Sequence, residues 1–409
     1  MHAVQLLSLA VAATVTLAQT NTNGSSTSLT AALASQPDLS NMIALLSTQP
    51  TFMAQLSLAQ NVTFLAPSNN ALDDFLNGPN ATPLNRTTPL GVAVLLSYHV
   101  LNGTYYDSEI NDDSRVVNTA LNLAPYSNIT GGQRIAFRRQ DGNATFFSGL
   151  LEMSSVTTPN INYTGGVIHV INRVLTLPIN DTRTLSDLNL TAAAGAFRRA
   201  DLTTRIDRLR DVTMFIPNND AFNRVGSSFE DSKMSAAELS QVLQYHVVQG
   251  SRPFYTNSLA NSSLTTLNGA KLTFTNSSNG LFVNSAKIVS SNVLTNNGVI
   301  HIIDNVLNPN NADARPDPSA TSGTPMFSGA SPATGVPYTS GVSPAPGALP
   351  TGGNGGNGGN GGNGGNGSNG GNSGNGQGSS PAIGAAAPMQ TGVIGAAALF
   401  GGVAILANL

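Results

Sequence analysis

One arrangement of residues occurs twice in this chain, and it fixes the plan of everything between. Gly165-Gly166-Val167-Ile168-His169-Val170-Ile171 returns as Asn297-Gly298-Val299-Ile300-His301-Ile302-Ile303, each followed two residues later by Val-Leu, at Val174-Leu175 and Val306-Leu307. Upstream of each lies a Tyr-His pair, in Leu96-Ser97-Tyr98-His99-Val100 and Leu243-Gln244-Tyr245-His246-Val247. Earlier still, Val62-Thr63-Phe64-Leu65-Ala66-Pro67 matches Val212-Thr213-Met214-Phe215-Ile216-Pro217. Three anchors in one order, at offsets of 150, 147 and 132 residues, mean one domain copied once. The period is too long for a solenoid unit, so each copy must hold its own core.

The copies span residues 27–178 and 179–309. At that size a domain buries a core without covalent staples, which suits a chain with no cysteine. The absence of cysteine also removes disulfide frameworks, thiolate metal sites and cysteine nucleophiles. Net charge is −3 and the lysines are only Lys233, Lys271 and Lys287. Without a basic stripe to hold phosphates, no nucleic-acid partner is expected.

Both ends carry addressing signals. Val4 to Leu17 is largely apolar and Thr16-Leu17-Ala18 offers small residues for a cut before Gln19, so residues 1–18 read as a secretory signal peptide. Thirteen Asn-x-Ser/Thr sites agree with export. The glycosylation candidates are Asn61, Asn80, Asn85, Asn102, Asn128, Asn143, Asn162, Asn180, Asn189, Asn261 and Asn276, of which several, not all, are expected to carry glycan. After Pro309 the chain turns to Pro, Ser, Gly and Thr and then to Gly-Gly-Asn triplets. Residues 310–380 cannot bury enough apolar surface to offset chain entropy and read as a disordered arm, spanning roughly 45 Å as a random coil. An apolar run closes the chain with no Lys or Arg after it, preceded at a short spacing by Gly378-Ser379-Ser380. That order is the pattern for glycosylphosphatidylinositol attachment, with Gly378 or Ser379 taking the lipid and residues 381–409 removed. A true membrane span is the other reading; the run is short, rich in Gly and Ala, and lacks a basic stop.

Apolar spacing predicts two or three short helices over 28–58, a buried strand at Val62–Ala66, and a helix turning Ala71, Leu72, Phe75 and Leu76 inward after a cap at Ser68 or Asn69. The next helix has Thr88 as cap and Pro89 at its first position, with Val92, Leu95, Leu96 and His99 on one face. Its counterpart opens with the capping box Ser235-Ala236-Ala237-Glu238 and carries Leu239, Val242, Leu243 and His246 on the same face. Strands are expected at 116–117, 121–123, 134–137, 145–147 and 167–175, and in the second copy at 264–267, 271–275, 281–283, 287–289 and 299–307. Hairpin turns fall at 138–142 and 276–280. The short connection 178–184 suggests that the copies touch.

After signal removal the histidines are His99, His169, His246 and His301, all inside the repeated motifs. Two imidazoles per copy without a carboxylate at recognisable spacing make a poor metal site, so neither metal nor cofactor is expected. His169 and His301 alternate with apolar residues on a strand face and read as hydrogen-bonded core residues. The Tyr98-His99 and Tyr245-His246 pairs are also open to a second reading, as a surface recognition patch. No nucleophile elbow or phosphate loop occurs, so no catalytic residue is expected. Arg198, Arg199, Arg205, Arg208 and Arg210 interleave with Asp201, Asp207 and Asp211 and read as a solvated helix face.

Phe-Leu-Ala-Pro-Ser-Asn-Asn-Ala-Leu at 64–72, Tyr98-His99 and Gly-Val-Ile-His-Val-Ile at 166–171 resemble the two conserved blocks and the central Tyr-His of fasciclin-like domains. Phe215 to Phe222, Tyr245-His246 and Gly298 to Asp304 repeat them. The resemblance implies an α+β fold of two tandem fasciclin-like domains, each a β-sheet wedge with packed helices. It also implies a non-catalytic role in cell adhesion or in interaction with cell wall or matrix, with glycans and surface proteins as partners. The layout resembles fungal surface members, lipid-anchored on the outer face of the plasma membrane or in the wall; a vacuolar or secretory-pathway membrane is the other location. Adhesive animal members carry Asp-Ile before the second block, where this chain has Asn160-Ile161 and Asn292-Val293. An amide cannot replace a carboxylate at a cation-mediated contact, so integrin-type recognition does not carry over. The alternative function is binding of a lipid or other apolar small ligand in a cleft between helices and wedge.

Overall fold

The computed structural model describes residues 27–77, 88–230, 233–317, 323 and 325–343. The expected signal at 1–18, the sequons Asn80 and Asn85, the anchor residues Gly378 and Ser379 and the tail 381–409 lie outside the described residues.

The first domain opens with three short helices, α1 (Leu29–Ala34), α2 (Ser40–Ser47) and α3 (Pro50–Leu58). Strand β1 (Val62–Pro67) is buried along its whole length. Helices α4 (Asn69–Asn77) and α5 (Pro89–Tyr98) follow, then β2 (Val100–Asn102), β3 (Arg115–Asn118), β4 (Arg134–Gln140), β5 (Asn143–Phe147), β6 (Met153–Tyr163) and β7 (Gly166–Ile171). The second domain runs α6 (Asp181–Asp187), α7 (Thr191–Arg199), α8 (Thr203–Arg208), β8 (Val212–Pro217), α9 (Asn219–Arg224), α10 (Ala236–Tyr245), β9 (Val247–Gln249) and α11 (Thr256–Leu259). It ends with β10 (Ser263–Thr265), β11 (Lys271–Ser277), β12 (Gly280–Val283), β13 (Ala286–Leu294) and β14 (Gly298–Ile303).

The two sheets have one topology. In the first the order is β2-β1-β7-β6-β5-β4-β3, and in the second β9-β8-β14-β13-β12-β11-β10. Among the described residues the parallel pairs are β1 with β7 and β8 with β14, which joins the first conserved block to the second, Leu65 beside His169 and Phe215 beside His301. In the first domain Leu101 bridges to Thr119 just past β3, so the sheet curls back toward its other edge. Each domain divides its core in two, one part between helices and sheet and the other inside the curl.

Local chemistry accounts for the elements that periodicity predicted. Thr88 Oγ1 accepts from Gly91 N over Pro89, and Ser235 and Glu238 form the reciprocal capping box. The hairpin between β4 and β5 turns on Asp141 and Gly142, both at positive φ. Residues 121–123, expected as a strand, run as irregular chain past β3. The long strands β6 and β13 have mixed rather than alternating burial because each is interrupted by register shifts, and that hid β6 and all of β13 past 289 from a period-two reading. On α4, Ala71 and Leu72 are buried, whereas Leu76, expected inward, is exposed.

The arm expected from residue 310 onward is not free along its first part. Residues 325–343 lie against the second domain: Met326 is buried, Phe327 packs on Phe229 at a centroid distance of 5.0 Å, and Tyr338 packs edge-on to Phe222 and Phe229. Arg198, read as part of a solvated face, instead donates to the carbonyls of Gly341 (2.8 Å) and Ser340 (2.7 Å). A composition-based reading missed this because three apolar residues and a few backbone bonds suffice to seat an extended strap in a ready groove.

Candidate functional site

The repeated histidines are interior. His99 ends α5, where its Nδ1 lies 2.8 Å from the Leu95 carbonyl and its Nε2 accepts from Leu175 N (3.0 Å). His246 repeats both bonds, to Val242 O (2.8 Å) and from Leu307 N (2.9 Å). A carbonyl on one nitrogen and an amide N–H on the other fix a neutral ring protonated at Nδ1. Each ring thus ties the helix C-terminus to the Val-Leu segment after the last strand, which is why the motifs recur together. Burial lowers both pKa values to about 4, against the smaller opposing effect of the carbonyl.

His169 and His301 work on the strands. His169 Nε2 bonds the Tyr105 carbonyl at 2.8 Å and its Nδ1 accepts from Asn160 N at 3.2 Å, with burial lowering its pKa. His301 Nε2 bonds the Phe254 carbonyl at 2.9 Å, its ring stacks on Phe215, and burial lowers its pKa to about 4. Tyr98 and Tyr245 are buried as well and donate to the carbonyls of Arg134 and Lys271, both at 3.0 Å. Burial raises both phenol pKa values. The tyrosine–histidine pairs therefore brace each domain, and the reading of them as a surface patch is overturned. Among the described residues, no group of three or more His, Asp or Glu is placed to hold a metal ion.

Asn160 and Asn292 sit at the bulges of β6 and β13, at φ 61° and 58°. The left-handed conformation is one that Asn tolerates better than other side-chain-bearing residues. Asn160 Oδ1 accepts from Asp107 N (3.0 Å), and Asn292 Oδ1 from Thr256 N (3.2 Å). At these positions the amides cap short helices across the sheet edge, a structural use that the sequence did not disclose.

The sequons divide by environment. Asn61, Asn143, Asn162, Asn261 and Asn276 are exposed. Asn102 and Asn189 are half-buried. Asn128 Nδ2 donates across the domain boundary to Leu209 O (3.0 Å), and Asn180 Nδ2 donates to Asp207 (2.8 Å) while its Oδ1 caps α6. Because a glycan would be linked through that same nitrogen, the expectation of glycosylation at Asn128 and Asn180 conflicts with the folded contacts.

One concavity stands out in the first domain. A cleft of ≈ 430 Å³ opens between α2, α4 and α5, floored by Leu45, Leu72, Val92 and Leu95 and edged by Asn41, Thr48 and Asp73. It lies among the helices rather than between helices and sheet, as had been expected for an apolar ligand. The second domain has the corresponding groove, because Asn69 Oδ1 accepts from Asn41 N (2.9 Å) as Asn219 Oδ1 accepts from Ala192 N (3.0 Å). There the strap of residues 325–343 fills it. A Cβ on Gly195 would lie 1.8 Å from the Tyr338 carbonyl oxygen, and one on Gly226 2.4 Å from the Ala333 Cβ.

The sequence profile of the fasciclin domain matches residues 37–178 and 188–309. A fasciclin-like arabinogalactan protein of Arthroderma benhamiae is 34% identical over 333 residues, covering 79% of this chain and 78% of that protein. The fasciclin-like arabinogalactan protein elcF of Phaeosphaeria nodorum is 32% identical over 284 residues, covering 68% and 88%. A solved FAS1 domain pair from the insect cell adhesion molecule fasciclin I overlaps 66% of this chain and 97% of its own, with a TM-score of 0.33 and 16% identity.

Proposed function

This chain belongs to the fasciclin domain family, and from that premise we propose that it is a non-catalytic module of the extracellular surface, adhering to cell-wall or matrix glycans and surface proteins. One observation carries the reading. The histidines that define the repeated motifs are buried and direct hydrogen bonds to the interior, to Leu95, Leu175, Val242, Leu307, Tyr105 and Phe254. They leave no activated nucleophile or base at a surface, whereas five of the sequons among the described residues face solvent. Contact is then made by the domain exteriors, weakly per molecule and more strongly when many anchored copies engage together. The signal peptide at 1–18 and lipid attachment at Gly378 or Ser379 would place the domains outside the plasma membrane or in the wall at the end of the Gly/Asn arm. Treating intact cells with a phosphatidylinositol-specific phospholipase should release the protein, and a deletion strain should attach less to its substratum. Retention on the cells after treatment, or unchanged attachment, would refute the anchor or the adhesive role respectively.

A further inference from the structure

We infer that the cleft of the first domain is a binding site for an uncharged aliphatic molecule bearing a hydroxyl head, and that it is the unplugged twin of the groove that the second domain fills with its own strap. The twin grooves can be compared position by position, since Asn41 N and Ala192 N donate the same bond to Asn69 Oδ1 and Asn219 Oδ1. Gly195, whose missing Cβ admits the strap backbone, is Ala44 in the first domain, and Gly226 is Leu76. Arg198, which holds two strap carbonyls, is Ser47, and Arg199, whose guanidinium lies over the Tyr338 ring, is Thr48. At these four positions the groups that seat the strap are replaced by aliphatic or small hydroxyl side chains. The first cleft therefore rejects the strap and offers an apolar wall instead.

Its size falls within the ~300–1,000 Å³ typical of small-molecule sites. Leu76, which lines the cleft near the end of α4, is 53% exposed and extends its apolar wall toward solvent. Charge narrows the ligand further. Among the described residues, α2, α4 and α5 contain no Lys or Arg and α4 presents Asp73 and Asp74, so an anionic head meets repulsion from these helices. Asn41, Thr48 and the Asp73 carboxylate, with Asn41 Nδ2 3.3 Å from Asp73 Oδ1, supply acceptors and a donor for a hydroxyl.

The test uses the full chain, which has no tryptophan to interfere with fluorescence. Aminoanthracene, an uncharged apolar fluorophore, should bind at one site per chain, and n-decanol should displace it. Ionised decanoate should displace it roughly tenfold less well. Ala44 is exposed on α2, so Ala44→Phe should fill the cleft without unfolding the domain and abolish binding. Asp73→Asn should bring decanoate close to decanol. No single-site binding, binding that survives Ala44→Phe, or decanoate equal to decanol in the native chain would each overturn the proposal. So would binding that appears only when residues 78–87 are replaced by a short linker, since that segment would then be the occupant. Self-association lost on Ala44→Phe without probe binding would assign the cleft to a second copy instead.

Discussion

At the scale of residues, the recurring histidines behave as cross-braces whose charge state is tied to the fold. His246 holds a helix end and the segment after the last strand through two bonds, so His246→Ala leaves a buried N–H unsatisfied and a void. The expected loss is on the order of 3 kcal/mol, read as a lower urea midpoint with an unchanged m-value. Because burial depresses the pKa of His99, His246 and His301 from 6.5 to about 4, their neutral rings favour the native state fully above pH 6.5, and that contribution is lost as the pH falls toward 4. Asp181 has the opposite sign. It is buried beside Asn297, whose Nδ2 donates to it at 2.9 Å, and burial pushes its carboxyl from 3.8 up to about 7. Its contribution is complete below pH 3.8 and is lost as the pH rises through about 7. Asp181→Asn should therefore stabilise the protein on the order of 2 kcal/mol above pH 7 and make no difference near pH 4; thermal melts across that range decide it. That the histidines were core residues was legible from their alternation with Val and Ile. Which groups they would bond was not, because Leu175 and Tyr105 approach only after the chain has closed over the sheet.

At the scale of elements, caps and hairpin turns were legible because their determinants lie within a few residues: Thr88-Pro89, the Ser235–Glu238 box and Asp141-Gly142. The bulged strand β6 and the later part of β13 were not, since a bulge shifts the side-chain period by one at Asn160 and Asn292. The strap was invisible for a different reason. Its seat is made by an absence of side chain at Gly195 and Gly226, and by Arg198 and Arg199, residues separated from it by more than a hundred positions. Gly195→Ala favours α7 by helix propensity but drives a Cβ into the Tyr338 carbonyl. Residues 325–343 should then become rapidly cleaved in limited proteolysis, while the domain's thermal midpoint stays within a few degrees. Protection equal to that of the native chain would show that the strap does not depend on that seat.

At the scale of the whole molecule, the two domains are joined by polar contacts rather than by the connection alone. Thr130 donates to the buried Asp211 carboxylate through both N (2.8 Å) and Oγ1 (2.6 Å), Gln133 Nε2 donates to Thr295 O (3.1 Å), and Asn128 N to Asn296 O (2.6 Å). Asp211 stands at φ 56°, which Asn also tolerates, so Asp211→Asn preserves the backbone and weakens the joint by about 1–2 kcal/mol. The expected outcome is a larger radius of gyration in small-angle scattering and a denaturation curve that separates into two steps. The sequence by itself determined the duplication, the α+β character, the burial of the motif histidines and the caps, because each depends on periodicity or on neighbours close along the chain. Only the tertiary structure decided that one groove is filled by the chain's own strap while none of the described residues fills its twin. That difference turns on Gly195 against Ala44 and Arg198 against Ser47, residues whose meaning exists only where a segment distant in sequence arrives beside them.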